Sequence, residues 1–67
     1  MNLTPTARAV LQIIQHNPGI SATEIGSCLG YAPRNALSEL TNQSAIRLDH
    51  QHGYHLTPGG KFLLEYA

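Results

Sequence analysis

The chain has no tryptophan, a single cysteine (Cys28), and only four basic and four acidic side chains in 67 residues. One cysteine cannot close an internal disulfide, whereas small secreted domains commonly depend on several, so the redox reading is a reducing, cytoplasmic setting. No apolar run approaches the roughly 20 residues needed to cross a bilayer, and no basic stretch leads into a hydrophobic segment with a cleavage site. The expectation is therefore no membrane association. Scarcity of charge does not mean disorder, because 42% of the residues are apolar and 12% charged, the reverse of a disordered composition. The chain should fold as one small domain over residues 1–67, burying only about 60% of the surface it exposes when unfolded. Formal net charge is zero, from Arg8, Arg34, Arg47 and Lys61 against Glu24, Glu39, Asp49 and Glu65, with His16, His50, His52 and His55 uncounted. Four cations give a small electrostatic footprint per monomer toward a polyanion.

Also missing are a Ser, His and Asp constellation, a phosphate-cradling glycine loop and a pair of carboxylates. A chain this short has no deep cleft in which to desolvate chemistry, so the reading is a binding module with no cofactor and no enzyme activity.

What is present is clear punctuation. Thr4-Pro5 reads as an N-cap with proline at the first helical position. Ala7, Val10, Leu11 and Ile14 then fall on one face of a helix running to about His16, broadened by Ile13. Asn17-Pro18-Gly19 ends it. Ser21 and Glu24 make an S-x-x-E capping box, so a second helix starts at Ala22, with Ile25, Cys28 and Leu29 as its apolar face and Gly30 as its terminator. After Tyr31-Ala32, Pro33 opens a third helix over 33–43, with Ala36, Leu37 and Leu40 inward. Ile46 and Leu48 alternate with polar residues, as do Tyr54 and Leu56, on either side of the tip His50-Gln51-His52-Gly53. That pattern predicts a β-hairpin. Thr57-Pro58 caps a last short helix with Phe62, Leu63 and Tyr66 at core spacing, although Gly59 and Gly60 weaken its first turn.

Two short helices joined by a tight glycine-containing turn form a helix-turn-helix, whose second member lies in the DNA major groove with its N-terminal residues nearest the bases. Here that helix exposes Arg34, Asn35, Ser38 and Asn42. Arginine pairs bidentately with guanine, asparagine with adenine, and serine suits a base or a phosphate. A merely solvated face would look similar on an isolated helix. The hairpin directly behind it makes the order of elements far more specific.

From Ile20 to Leu64 the sequence resembles the winged-helix regulators of bacteria and archaea, including the MarR, ArsR and PadR types. The segment ISATEIGSCLG corresponds to their second helix, and YAPRNALSELTNQSAIRL to the recognition helix entering the first wing strand. GYHLTPGGKFLL is similar to their closing Y-x-L-T-x-x-G-x-x-L signature, carried by Tyr54, Leu56, Thr57, Gly60 and Leu63. The resemblance implies an α+β, mainly α, winged helix-turn-helix: a three-helix core, a two-stranded wing over 46–56 and a short C-terminal helix. It further implies sequence-specific binding of double-stranded DNA, with base contacts from Arg34, Asn35 and Ser38, and wing contacts from Arg47, His50, Gln51 or His52. Tyr31 and Tyr54 flank the same surface, as ring anchors or as contacts to phosphate, and Asn42 continues the polar face of the helix. Where such regulators carry glycine before the first wing strand, this chain has Ser44. A homodimer reading two half-sites would compensate for the few cations.

The zero net charge and the poorly basic wing keep a second reading open, a winged-helix protein-interaction module that does not touch DNA. The histidines do not have the close three- or four-ligand spacing of a zinc site, so no metal is expected. If they gain protons below about pH 6.5, affinity for DNA should rise on acidification. Cys28, on an apolar helical face, reads as a small core hydrophobe.

Overall fold

Cap chemistry sets the first helix in the computed structural model, which describes residues 3–66. The Thr4 hydroxyl accepts from the Ala7 N–H at 3.1 Å, Pro5 stands in the first turn, and α1 runs Pro5–His16. Ala7, Val10, Leu11 and Ile14 are buried as the stripe predicts. The chain then turns through Asn17-Pro18-Gly19 into a two-residue strand, β1 (Ile20–Ser21), which periodicity could not announce because two residues carry no alternation.

Helix α2 (Ala22–Leu29) begins with the expected box: Ser21 Oγ accepts from the Glu24 N–H at 3.2 Å, and Glu24 Oε1 accepts from the Ser21 N–H at 3.2 Å. It ends at Gly30, whose φ of +84° is left-handed. One expectation fails here, because Cys28 is exposed. The helix reaches the core through fully buried Ile25 and half-buried Leu29, and successive residues lie about 100° apart around the axis, which turns Cys28 out.

Helix α3 covers Arg34–Asn42, with Pro33 as its N-cap instead of its first residue. Ala36, Leu37 and Leu40 are buried. Ser44 follows at φ +59°, so a serine holds the left-handed position where the resembling regulators carry glycine.

The hairpin pairs β2 (Ile46–Leu48) with β3 (Gly53–Leu56), Ile46 opposite Leu56, Arg47 opposite His55 and Leu48 opposite Tyr54. β1 joins the other edge of β3, giving an antiparallel three-stranded sheet of order β1-β3-β2. Helix α4 (Pro58–Tyr66) closes the fold.

The signature residues acquire physical roles at this last junction. Thr57 Oγ1 donates to the Ser44 carbonyl and accepts from the Gly60 N–H at 3.2 Å. Gly60 is buried where an added Cβ would lie 2.1 Å from the Ala45 carbonyl oxygen. Because Gly60 must face inward, Leu63 and Leu64, one turn on, pack against the core. Phe62 and Tyr66, expected inward, instead stand 60% and 73% exposed, and their rings meet at 4.8 Å.

The core is Ala7, Val10, Leu11, Ile14, Ile20, Ile25, Ala36, Leu37, Leu40, Ala45 and Ile46, contributed by the first three helices, β1 and the entry to the hairpin. Among the described residues four helices and one antiparallel sheet make the predicted α+β winged helix-turn-helix. No helix among the described residues is long and apolar enough to cross a membrane.

Candidate nucleic-acid interface

Because α3 buries Ala36, Leu37 and Leu40, its outer face is fixed, and Arg34, Asn35, Ser38 and Asn42 are all exposed on it. Two grooves run along its flanks. One, of about 420 Å³, is lined by Arg34, Ser38 and Asn42 together with Thr41, Leu37, Ala22 from the start of α2, and Tyr54 from β3. The other, of about 360 Å³, is lined by Arg34, Asn35 and Glu39 on one side and by Thr4, Thr6 and Tyr31 on the other. Arg34 stands where the two meet. Tyr31, in the link between α2 and α3, is held by a 3.1 Å hydrogen bond between its hydroxyl and that of Thr6.

The wing residues divide. His50, Gln51 and His52 are exposed at the hairpin tip, where His52 takes a positive φ of 63°. Arg47 sits elsewhere. It lies opposite His55 in the ladder, and alternation puts that pair on the sheet face that does not carry Tyr54. Arg47 and His55 line a separate cleft with Lys61. The four candidates on α3 are thus brought together with Tyr31, and the tip forms a second cluster. The cations Arg34 and Arg47 do not share a groove.

The tip is organised by a residue the sequence reading treated only as a charge. Asp49 Oδ1 accepts from the N–H groups of Gln51 and Gly53, each at 2.8 Å. Its other oxygen, Oδ2, meets His55 Nε2 at 2.7 Å. An aspartate bonding to the backbone two residues ahead is an Asx turn, a signal available in Asp49-His50-Gln51. The bond to the His55 ring, followed by those to the Gly53 and Gln51 amides, holds the Asp49 carboxyl down from its usual 3.8 to about 2. Since the folded value lies below the unfolded one, the stabilisation of the wing is complete above pH 3.8 and is lost as pH falls toward 2. Carboxyl carbon shifts of Asp49 followed by NMR should titrate near 2, with the Gln51 and Gly53 amides moving in parallel. Titration near 3.8 would show that the turn lacks these bonds.

Tyr54, expected from the sequence beside the recognition surface, lines the first groove. Alternation puts it on the Ile46 and Leu56 face of the sheet, but which helix lies against that face is a tertiary fact. Among the described residues no three His, Cys, Asp or Glu side chains gather in a way that would hold a metal ion.

No family model matches the sequence, and no curated protein matches it. Solved structures do. A transcriptional repressor, CouR, bound to p-coumaroyl-CoA, superimposes with a TM-score of 0.83 and 32% identity, covering 96% of this chain and 49% of that one. A MarR family transcription regulator gives 0.82 and 26%, covering 96% and 48%. The chain spans about half the length of these solved structures. Element order, sheet topology and this likeness together make the chain a winged helix-turn-helix domain of the MarR-like kind.

Proposed function

We propose that this domain binds double-stranded DNA sequence-specifically as part of a cytoplasmic transcriptional regulator, with α3 in the major groove and the β2–β3 hairpin as the wing. The observation that carries the reading is the concentration of Arg34, Asn35, Ser38 and Asn42 on the exposed face of a helix whose opposite face is locked into the core. Arg34 and Asn35 are base readers at the front of the helix, and Ser38 and Asn42 extend the contact along the groove. Tyr31 and the tip residues His50, Gln51 and His52 contact the flanking backbone. Likeness to a transcriptional repressor and to a MarR family transcription regulator supports the assignment. With so few cations per copy, two copies on adjacent half-sites would give the needed affinity.

Selection of bound sequences from a random duplex pool at two salt concentrations tests this. An enriched motif whose affinity falls as salt rises is the expected result, and failure to bind at low salt overturns it. On the selected site, Arg34→Ala should cost about 1–3 kcal/mol and relax the preference at one base pair, as for a bidentate guanine contact. Equal losses on all sequences would reassign Arg34 to a phosphate.

One observation favours a second reading. The exposed Phe62 and Tyr66 rings on α4 form the kind of apolar surface a protein-interaction module would use. A second copy of the chain is an alternative cover for it, compatible with DNA binding.

A further inference from the structure

Two of the chain's four acidic side chains have structural work: Glu24 closes the capping box of α2, and Asp49 organises the wing tip. Glu65 is exposed on α4. The fourth, Glu39, stands on α3 itself, exposed, in the groove it shares with Arg34, Asn35 and Tyr31. Among the described residues its carboxylate makes neither an ion pair nor a side-chain hydrogen bond. Its helical neighbours cannot neutralise it either. Asn35 and Gln43 hold the positions four residues away, and Ala36 and Asn42 those three away. Glu39 is therefore a free charge on the very helix whose polar face reads DNA.

Such a charge repels phosphates and lowers affinity for every sequence unless it finds a donor. In the major groove the base-edge donors are the amino groups of cytosine and adenine, whereas guanine N7 and O6 and thymine O4 are acceptors that repel a carboxylate. Adenine sets its N7 acceptor beside its amino group, which suits the amide of an asparagine. Cytosine offers its N4 amino group with no adjacent acceptor, which suits a carboxylate. The helix also places Glu39 for this. It lies about 40° around the axis from Asn35 and about 6 Å further along it, roughly two base steps of a duplex. Asn35 and Glu39 form one edge of the polar face, on the side of Tyr31 and Thr6.

We infer that Glu39 is a specificity-determining residue of α3, accepting the N4 amino group of a cytosine within two base pairs of the one that Asn35 reads. The inference rests on the DNA reading of α3 and adds a base preference to it. The same carboxylate discriminates against sites that offer no such donor, because there it meets only acceptors and phosphates. A residue of this kind raises the contrast between sites instead of the overall attraction.

The test is selection from a random duplex pool with the unsubstituted chain, Glu39→Gln and Glu39→Ala, followed by affinities on the selected site and on a scrambled duplex. Because the side chain is exposed, both variants should keep the thermal midpoint of the unsubstituted chain. The expected result is one cytosine in the selected motif that Glu39→Gln exchanges for adenine and Glu39→Ala leaves without preference, with the other positions unchanged. Affinity for the scrambled duplex should rise in both variants, and the ratio of selected to scrambled affinity should fall by about tenfold. A motif identical in the three proteins, an altered position that is not cytosine for the unsubstituted chain, or affinity that rises equally on every sequence would overturn the inference and leave the DNA reading standing. Failure of the unsubstituted chain to select any motif would overturn both.

Discussion

Gly60→Ala is expected to destabilise the fold by about 3 kcal/mol, the upper end of typical overpacking costs. The added methyl would stand 2.1 Å from the Ala45 carbonyl oxygen and 2.9 Å from Leu56 Cδ2. The first of these is backbone and cannot rotate away, so α4 must lift off the hairpin entry. That movement also strains the Thr57 bridge between Ser44 and the first turn of the helix. A domain of this length has roughly 3–10 kcal/mol of stability in all, so urea unfolding should show a midpoint lowered by about a third or more. Gly59→Ala is the control, because its Cβ would meet nothing closer than 3.4 Å and alanine favours a helix over glycine by up to about 1 kcal/mol. Equal midpoints for the two variants would mean that α4 does not rest on Ala45.

Gly53→Ala should cost about 2–3 kcal/mol for a related reason. Here the new methyl would lie 2.5 Å from the Gly19 carbonyl oxygen and 2.9 Å from two further backbone atoms of Gly19. β1 would be pushed from the edge of β3, opening the 2.9 Å bond from the Gly19 N–H to the Tyr54 carbonyl. Hydrogen exchange reads this directly: the Gly19 amide should lose protection in the variant before the β2–β3 amides do. Unchanged protection would show that the two backbones are not in close approach. The tip makes an instructive contrast, since the left-handed residue is His52 at φ +63° and not the glycine beside it. A turn rule assigns Gly53 to the bend, whereas the fold uses it to let two strands touch.

Much of the site was legible because it depends on local chemistry. The buried stripe Ala36, Leu37 and Leu40 dictates which face of α3 is exposed, so Arg34, Asn35, Ser38 and Asn42 follow from helical periodicity alone. The tip residues follow from the turn. Residues that miss are those whose neighbours come from far along the chain. Cys28 and the pair Phe62 and Tyr66 carry apolar character at roughly core spacing, but an eight- or nine-residue helix offers several overlapping stripes. Which stripe turns inward is settled by the partner, through Ile25 and Leu29 in α2 and through Gly60 against Ala45 in α4. Tyr54, by contrast, was expected beside the α3 surface and does line its groove.

The sequence by itself determined the order of helices and hairpin, their caps, and the polar face of α3, because capping bonds and side-chain periodicity act over a few residues. Only the tertiary structure decided the pairing of β1 with β3, the outward turn of Phe62 and Tyr66, and the separation of Arg34 from the cleft that holds Arg47 and Lys61. Those outcomes depend on close approaches between segments distant in the chain, where one backbone oxygen against a missing Cβ outweighs any local preference.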